Sequence, residues 1–337
     1  MAGDKIKVAV IGVGYLGRFH AEKLARMEGV ELVGVVDRDP ARAQETARRV
    51  GTTPFQDLAE IVERIDAATV VTPTVSHFQV ASALLEAGRD VLVEKPITAT
   101  LEEANELVEL AARGGRILQV GHLERFNPAV EGMVQRVKNP LFIECNRIAP
   151  FKARATDVDV ALDLMIHDLD IILSLLGCEP GEIRAVGVPV LNPENADIVN
   201  ARLEFPTGCV ANVTASRLAL KDERKMRIFQ PDAYLALDFR KRKLLVVRGV
   251  EYHPGKKPKV KAERPRFGKS DPLERELRAF VESVRTRRPP RVSGEDAKKA
   301  LACALAVRRR VRQGLDQWRE VLAQPPDWVE CDLPEQG

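Results

Sequence analysis

The segment DLMIHDLDI, residues 163–171, sets Asp163, His167, Asp168 and Asp170 into a run, LDLMIHDLDIILSLL, that reads as a helix. That run is apolar around most of its circumference and stops at Gly177. Charged groups in such a place need partners, a cavity or water, because desolvating them costs several kcal/mol or more. Residues four apart share a helical face, so Asp163 is expected under His167, the arrangement of a carboxylate that orients an imidazole. An imidazole titrates near neutral pH and can take the proton of an alcohol while hydride leaves the carbon. Lys95 closes the apolar strand DVLVEKP just before Pro96 and supplies a cation to hold the reacting oxygen. The bland alternative is a helix-capping Asp, a core His and a surface Lys. A metal held by Asp163, His167 and Asp170 is geometrically possible but not required, and none is expected. Asp168 is expected to touch substrate.

These side chains need a scaffold, and the first third of the chain provides one. KIKVAVI, residues 5–11, reads as a buried strand, and GVGYLG follows with Gly12, Gly14 and Gly17 around Tyr15 and Leu16. A helical stretch, RFHAEKLARM, comes next, then a second strand, ELVGVV, that runs into Asp37, twenty residues after Gly17. This is the dinucleotide fingerprint: glycines admit a pyrophosphate to a helix N-terminus, and the acid meets the ribose hydroxyls. A carboxylate at Asp37 repels a 2′-phosphate, so NAD is favoured over NADP, although Arg38 follows directly and can pair with that phosphate. Strand and helix then alternate through AATVVTP, a helix from Ser76, DVLVEKP, a helix from Leu101 and RILQVG, predicting a doubly wound parallel sheet over residues 1–121. Ligands bind such sheets beyond the carboxyl ends of the strands. That places Thr72, Pro73, Thr74 and His77 after one strand, and Glu94, Lys95 and Pro96 after another, at the cofactor. For His77 a plain role at the start of a helix is as good a reading.

From residue 122 to 337 the pattern changes. Strand-like runs at LFIECNRI, IRAVGVPV, DIVNARLEF, CVANVTASR, KMRIFQ, YLALDF and KLLVVR arrive without intervening helices and predict a mainly antiparallel open sheet. Helices at DPLERELRAFVESVRT and SGEDAKKALACALAVRRRV close the chain, so the whole is α/β with a C-terminal α+β domain.

GVGYLGRFHA, VVTPTVSHFQVASALLEAGRDVLVEKPIT, VGHLERFNPAV and DLMIHDLDI, in this order, resemble the glucose-fructose oxidoreductase, inositol dehydrogenase and related-enzyme family. The resemblance covers nearly the whole chain, including GEDAKKALACALAVRRR. It implies NAD(P)-dependent oxidation of a sugar or polyol hydroxyl, a catalytic lysine at Lys95 and an aspartate–histidine pair at Asp163 and His167. It also implies an antiparallel sheet used for assembly into a homodimer or homotetramer. Met165 departs from the glycine that family members commonly place two residues before the histidine. Within the family, ERFNPAV and LDLMIHDLDI most resemble the subgroup that oxidises C3 of UDP-N-acetylglucosamine, on a route to 3-amino sugars. The alternatives are a dehydrogenase of a free polyol or hexose, and a dinucleotide-binding sensor without chemistry. A sensor has no use for Lys95, Asp163 and His167 together.

Composition excludes other classes. Charged residues make up 30% of 337 with a formal net charge of +3, so no basic excess points to nucleic acid. Basic residues cluster at 253–269 and at Arg308, Arg309, Arg310 and Arg312, yet only Phe267 lies among them for base stacking, and solvated surface is the expected reading. A nucleotide sugar needs cations for its diphosphate; Arg125, Lys152 and Arg154 flank the catalytic helix in sequence, and Asn127 is placed with them at the substrate. Five scattered cysteines without a CxxC pair fit reduced thiols, and no apolar run approaches a secretory signal or membrane span, so a cytoplasmic location is expected.

Overall fold

The computed structural model describes residues 5–150, 159–191, 195–251, 255, 259–268 and 270–322. In the first unit, β1 (Ile6–Ile11), β2 (Val30–Val36), β3 (Thr53–Phe55), β4 (Ala67–Val70), β5 (Asp90–Glu94) and β6 (Leu118–Gly121) form one parallel sheet in the order β3-β2-β1-β4-β5-β6. Strand order reverses between β1 and β4, which opens the crevice where a dinucleotide binds. The crossovers are α1 (Gly17–Ala25), α2 (Pro40–Val50), α3 (His77–Glu86) and α4 (Leu101–Gly114). Their ends follow from local chemistry. Asp39 accepts the Ala41 and Arg42 amides at the start of α2, Pro40 presets its first turn, and left-handed Gly51 ends it. Thr100 and Glu103 form a reciprocal capping box on α4, which ends at left-handed Gly115.

The second unit carries β7 (Phe142–Ile148), β8 (Glu182–Val188), β9 (Ile198–Glu204), β10 (Val210–Ser216), β11 (Glu223–Gln230), β12 (Ala233–Asp238), β13 (Lys243–Glu251) and β14 (Lys259–Glu263). Their order is β14-β13-β12-β11-β7-β10-β9-β8, antiparallel throughout except for the β7–β10 pair. Alternate residues of β7, β9 and β12 are buried, so one face of the sheet packs on the core. The expected architecture is therefore present, with two additions. β3 is three residues long, and β14 occupies part of the basic stretch expected to be solvated surface; its alternation of Val260 and Ala262 with charged residues is short, and its side chains are largely exposed.

α5 (Pro128–Val134), α6 (Ile166–Leu176), α7 (Pro272–Thr286) and α8 (Gly294–Leu322) complete the fold. α7 crosses back over the boundary expected at residue 121: Leu273, Leu277, Phe280 and Val284 share a buried core with Val8, Val10, Ala21 and Leu24. Ser293 then pairs with Gln119 of β6, tying the C-terminal segment to the parallel sheet. α6 ends at left-handed Gly177 as expected, but it is preceded by a π-helical turn, Ala161–Met165. No helix among the described residues is long and apolar enough to cross a membrane.

Candidate active site

Gly12, Gly14 and Gly17 turn the chain from β1 into α1. Gly12 adopts φ +89°, and a Cβ at Gly17 would stand 1.9 Å from the Gly12 carbonyl oxygen, so only glycine permits this close approach. A Cβ at Gly14 would meet nothing within 4 Å, so the outer side of the turn is bare backbone. α1 begins without a side-chain cap and without an acid in its first turn, leaving its positive end for an anion. Beside it lies a cavity of about 250 Å³ lined by Val13, Gly14, Tyr15, Arg18, Arg42 and Thr46 among others. Tyr15 is 62% exposed at its mouth, and the Arg18 guanidinium lies 5.1 Å from the Tyr15 ring centroid. Asp37 accepts the Val13 N–H at 2.9 Å and the Asp39 N–H at 3.0 Å, which fixes the glycine turn against the end of β2. Each oxygen keeps a lone pair for a ribose hydroxyl. Arg38 is exposed and Leu16 half-buried.

Across the crevice, Lys95 ends β5 through a cis bond to Pro96. Its Nζ donates to the Asp163 main-chain oxygen at 2.7 Å and to Asp163 Oδ1 at 3.2 Å, bridging the two units. The Lys95 side chain is 18% exposed and that of Asp163 38%, so the pair opens to solvent on one side. His167 lies a turn further along. Its Nδ1 is buried without a hydrogen-bond partner among the described residues, and burial, reinforced by the charges of Lys95 and Arg147, holds its pKa well below the ordinary value. The imidazole is accordingly neutral at pH 7 and able to accept a proton.

Two family models match this chain: an oxidoreductase family with an NAD-binding Rossmann fold over residues 6–122, and a GFO/IDH/MocA C-terminal domain over residues 145–235. The UDP-N-acetylglucosamine 3-dehydrogenase of Acidithiobacillus ferrooxidans is 39% identical over 93% of this chain and 99% of its own length. The chain belongs to the Gfo/Idh/MocA oxidoreductase family. A crystal form of that same relative superposes with a TM-score of 0.88, covering 92% of this chain and 99% of that one. The scyllo-inositol 2-dehydrogenase (NAD(+)) of Bacillus subtilis is 28% identical over 92% of this chain and 95% of its own. This oxidoreductase is thus an NAD(P)-dependent dehydrogenase.

Several residues expected at ligands are instead structural ties in the oxidoreductase. Asp163 makes no hydrogen bond to His167 among the described residues: its carboxylate lies on Lys95, and His167 Nδ1 is left unpartnered. Asp168 is 1% exposed and takes a bidentate pair from Arg147 at 2.8 and 2.8 Å, so it has no face for a substrate. Arg125 gives its Nε–H to Asp170 at 2.9 Å, and its side chain stays 16% exposed. Asn127 caps α5 through the Ala129 N–H and donates to Glu124 and the Phe239 carbonyl, both at 3.1 Å. With Asp170 on Arg125 and Asp163 on Lys95, the metal set considered from sequence does not converge.

At the cofactor edge, His77 is buried, with Nδ1 2.9 Å from the Pro96 carbonyl oxygen and Nε2 2.8 Å from that of Thr72. It staples the ends of β4 and β5 together rather than meeting a ligand. Burial lowers its pKa in spite of those carbonyls, so the neutral ring donates to one of the two. Pro96 is buried with it, Glu94 turns to His20 at 3.3 Å, and Thr72 and Thr74 are half-buried beside exposed Pro73. Arg154 and Lys152 lie outside the described residues.

His122 was missed. It follows β6 at the ligand edge of the sheet, is buried 4.0 Å from Asp170, and has neither ring nitrogen partnered among the described residues. Burial lowers its pKa against the pull of Asp170. Its position after a parallel strand was the signal available.

Proposed function

We propose that this oxidoreductase oxidises a secondary hydroxyl of a nucleotide sugar, C3 of UDP-N-acetylglucosamine, with NAD as acceptor. The observation that carries the reading is Lys95 held on Asp163 across the crevice, with its charge felt by His167, in a chain that aligns over 93% of its length with a UDP-N-acetylglucosamine 3-dehydrogenase. NAD rather than NADP is our reading of Asp37, an acid at the end of β2 beside the glycine turn, because a carboxylate facing the ribose would repel a 2′-phosphate. The bare turn at Gly14, the uncapped start of α1 and Asp37 suit a dinucleotide, which accepts the hydride when bound.

The protein's own groups then have distinct tasks. Lys95, anchored by Asp163, points its remaining N–H at the hydroxyl oxygen and favours the alkoxide-like charge that develops there. Neutral His167 takes the hydroxyl proton while hydride departs from the same carbon. Purified protein should reduce NAD with UDP-N-acetylglucosamine in the presence of a carbonyl trap, and remain silent with inositol or glucose. Reduction with a free polyol instead would select the inositol-type reading. His167→Ala should lower kcat by about a hundredfold with NAD affinity intact. Because His167 must be neutral and its pKa is lowered, the acid limb of kcat should fall below pH 6.5, the ordinary histidine value, rather than at or above it.

We also read the open face of the second sheet as the site of self-association in a cytoplasmic homodimer or homotetramer. Leu141, Val186, Val188 and Phe229 are exposed, and Phe229 packs against Phe142 and Tyr234 with centroids at 5.7 and 5.0 Å. Phe229→Glu should shift the mass measured by light scattering to that of a monomer; an unchanged mass would remove this face from the assembly.

A further inference from the structure

Glu94 is the residue before Lys95, and its side chain enters a buried cluster that the proton transfer does not use. His20 from α1, Glu94 from β5 and Glu276 from α7 bring a ring nitrogen and carboxyl oxygens within 4.8 Å of one another. His20 Nε2 stands 3.3 Å from Glu94 Oε1, and Glu94 Oε2 accepts the Lys95 N–H at 3.2 Å. Glu276 is fully buried, and neither of its carboxyl oxygens has a hydrogen-bond partner among the described residues. The main chain of α7 is fastened at the same point, where Gln119 Nε2 donates to the Glu276 carbonyl at 3.1 Å.

Two carboxyls this close in a buried pocket of the fold resist being charged together. The neighbours decide which keeps the charge. Burial acts to raise the pKa of Glu94, but the His20 contact and the Lys95 charge outweigh it, and the net direction is down. Glu276, with the His20 ring also within 4.8 Å, is pushed up by burial and by the Glu94 charge. His122 and His77, the other histidines that feel the Glu94 charge, do not act on Glu276. A protonated carboxyl is a hydrogen-bond donor, and Glu94 is the charged acceptor beside it.

We infer that Glu276 is a positioning residue for Lys95: held as the neutral acid, it donates a hydrogen bond to the Glu94 carboxylate and so locks the end of β5 against α7. The effect on turnover rests on the role given to Lys95 above, whereas the protonation state does not. Two elements thereby hold the residue next to the lysine, α1 through His20 and α7 through Glu276, while Gln119 of β6 fastens α7 at the Glu276 carbonyl.

The test has two arms. Infrared difference spectra of the full chain at pH 7, wild type minus Glu276→Gln, should contain the carbonyl band of a protonated carboxylic acid, read without any sugar. In turnover, Glu276→Gln keeps a neutral donor and should stay within about threefold of wild-type kcat, while Glu276→Ala should lose about tenfold or more with NAD affinity unchanged. Absence of the band would overturn the inference, as would one equivalent of bound metal in the purified protein. Equal losses in the Gln and Ala variants would also overturn it, since they would mean that the charged carboxylate is needed. If Glu276→Ala does not fold, the Gln variant and the band still decide. If no sugar is turned over at all, the band stands apart from the failure of the substrate reading.

Discussion

Lys95→Ala should lower kcat by about a thousandfold, roughly 4 kcal/mol at 1.4 kcal/mol per decade, while NAD binding changes little. The ammonium has three N–H donors, and two are placed on the Asp163 carbonyl and carboxylate. The third is therefore aimed rather than free to wander, and it acts from a partly buried position where charge is less screened than in water. Folding should suffer little, because the Asp163 side chain left behind is 38% exposed and can be hydrated. A second consequence separates this role from mere structure. The Lys95 charge is one of the influences that depress the His167 pKa, second only to burial. Removing it should let that pKa rise, so the acid limb of the residual activity should move to higher pH. A kcat within tenfold of wild type, measured by NAD reduction at saturating substrate, would take Lys95 out of the chemistry. An unmoved acid limb would take His167 out of the lysine's field.

The glycine turn and the parallel sheet that carries it were legible in the sequence because their constraints are local. Close packing of Gly17 against Gly12, the position of Asp37 and the alternation of strand and helix each leave a mark within a few residues. The substrate half was less so. Asp163 and His167 at an offset of four read as a stacked pair, yet the Asp163 carboxylate lies on Lys95, 68 residues away in sequence, and His167 Nδ1 has no partner among the described residues. Arg125, Asn127 and Asp168 are polar residues in the right neighbourhood, but their partners, Asp170, Phe239 and Arg147, come from up to 112 residues away. Glu276 sits in a helix with Glu274 and Glu282, where its burial at a unit boundary cannot be seen without the packing of α7 on α1.

Asp168→Ala should reduce stability by about 3–5 kcal/mol, the range for breaking a buried ion pair. At roughly 2.1 cal/mol/K of unfolding entropy per residue this corresponds to a fall in Tm of roughly 4–7 °C. Arg147 lies on β7 with its guanidinium 5.1 Å from the Phe239 ring centroid, and its charge is held by Asp168 and by Glu124 at 3.2 Å. Burial acts to strip that charge, but the two carboxylates outweigh it and raise the arginine pKa. Without Asp168 a desolvated cation is left with one acid at a longer distance, whereas replacing both partners by Met and Leu removes both charges and should recover most of the loss. The Ala variant should also lose turnover, since the Arg147 pair fastens α6 to the second sheet one residue from His167. If Asp168 touched substrate, the variant would raise KM and leave Tm unchanged. A melting curve with KM measured on the same preparation distinguishes the two: a lower Tm at constant KM identifies a clamp beneath the catalytic helix, and the reverse pattern returns Asp168 to the sugar.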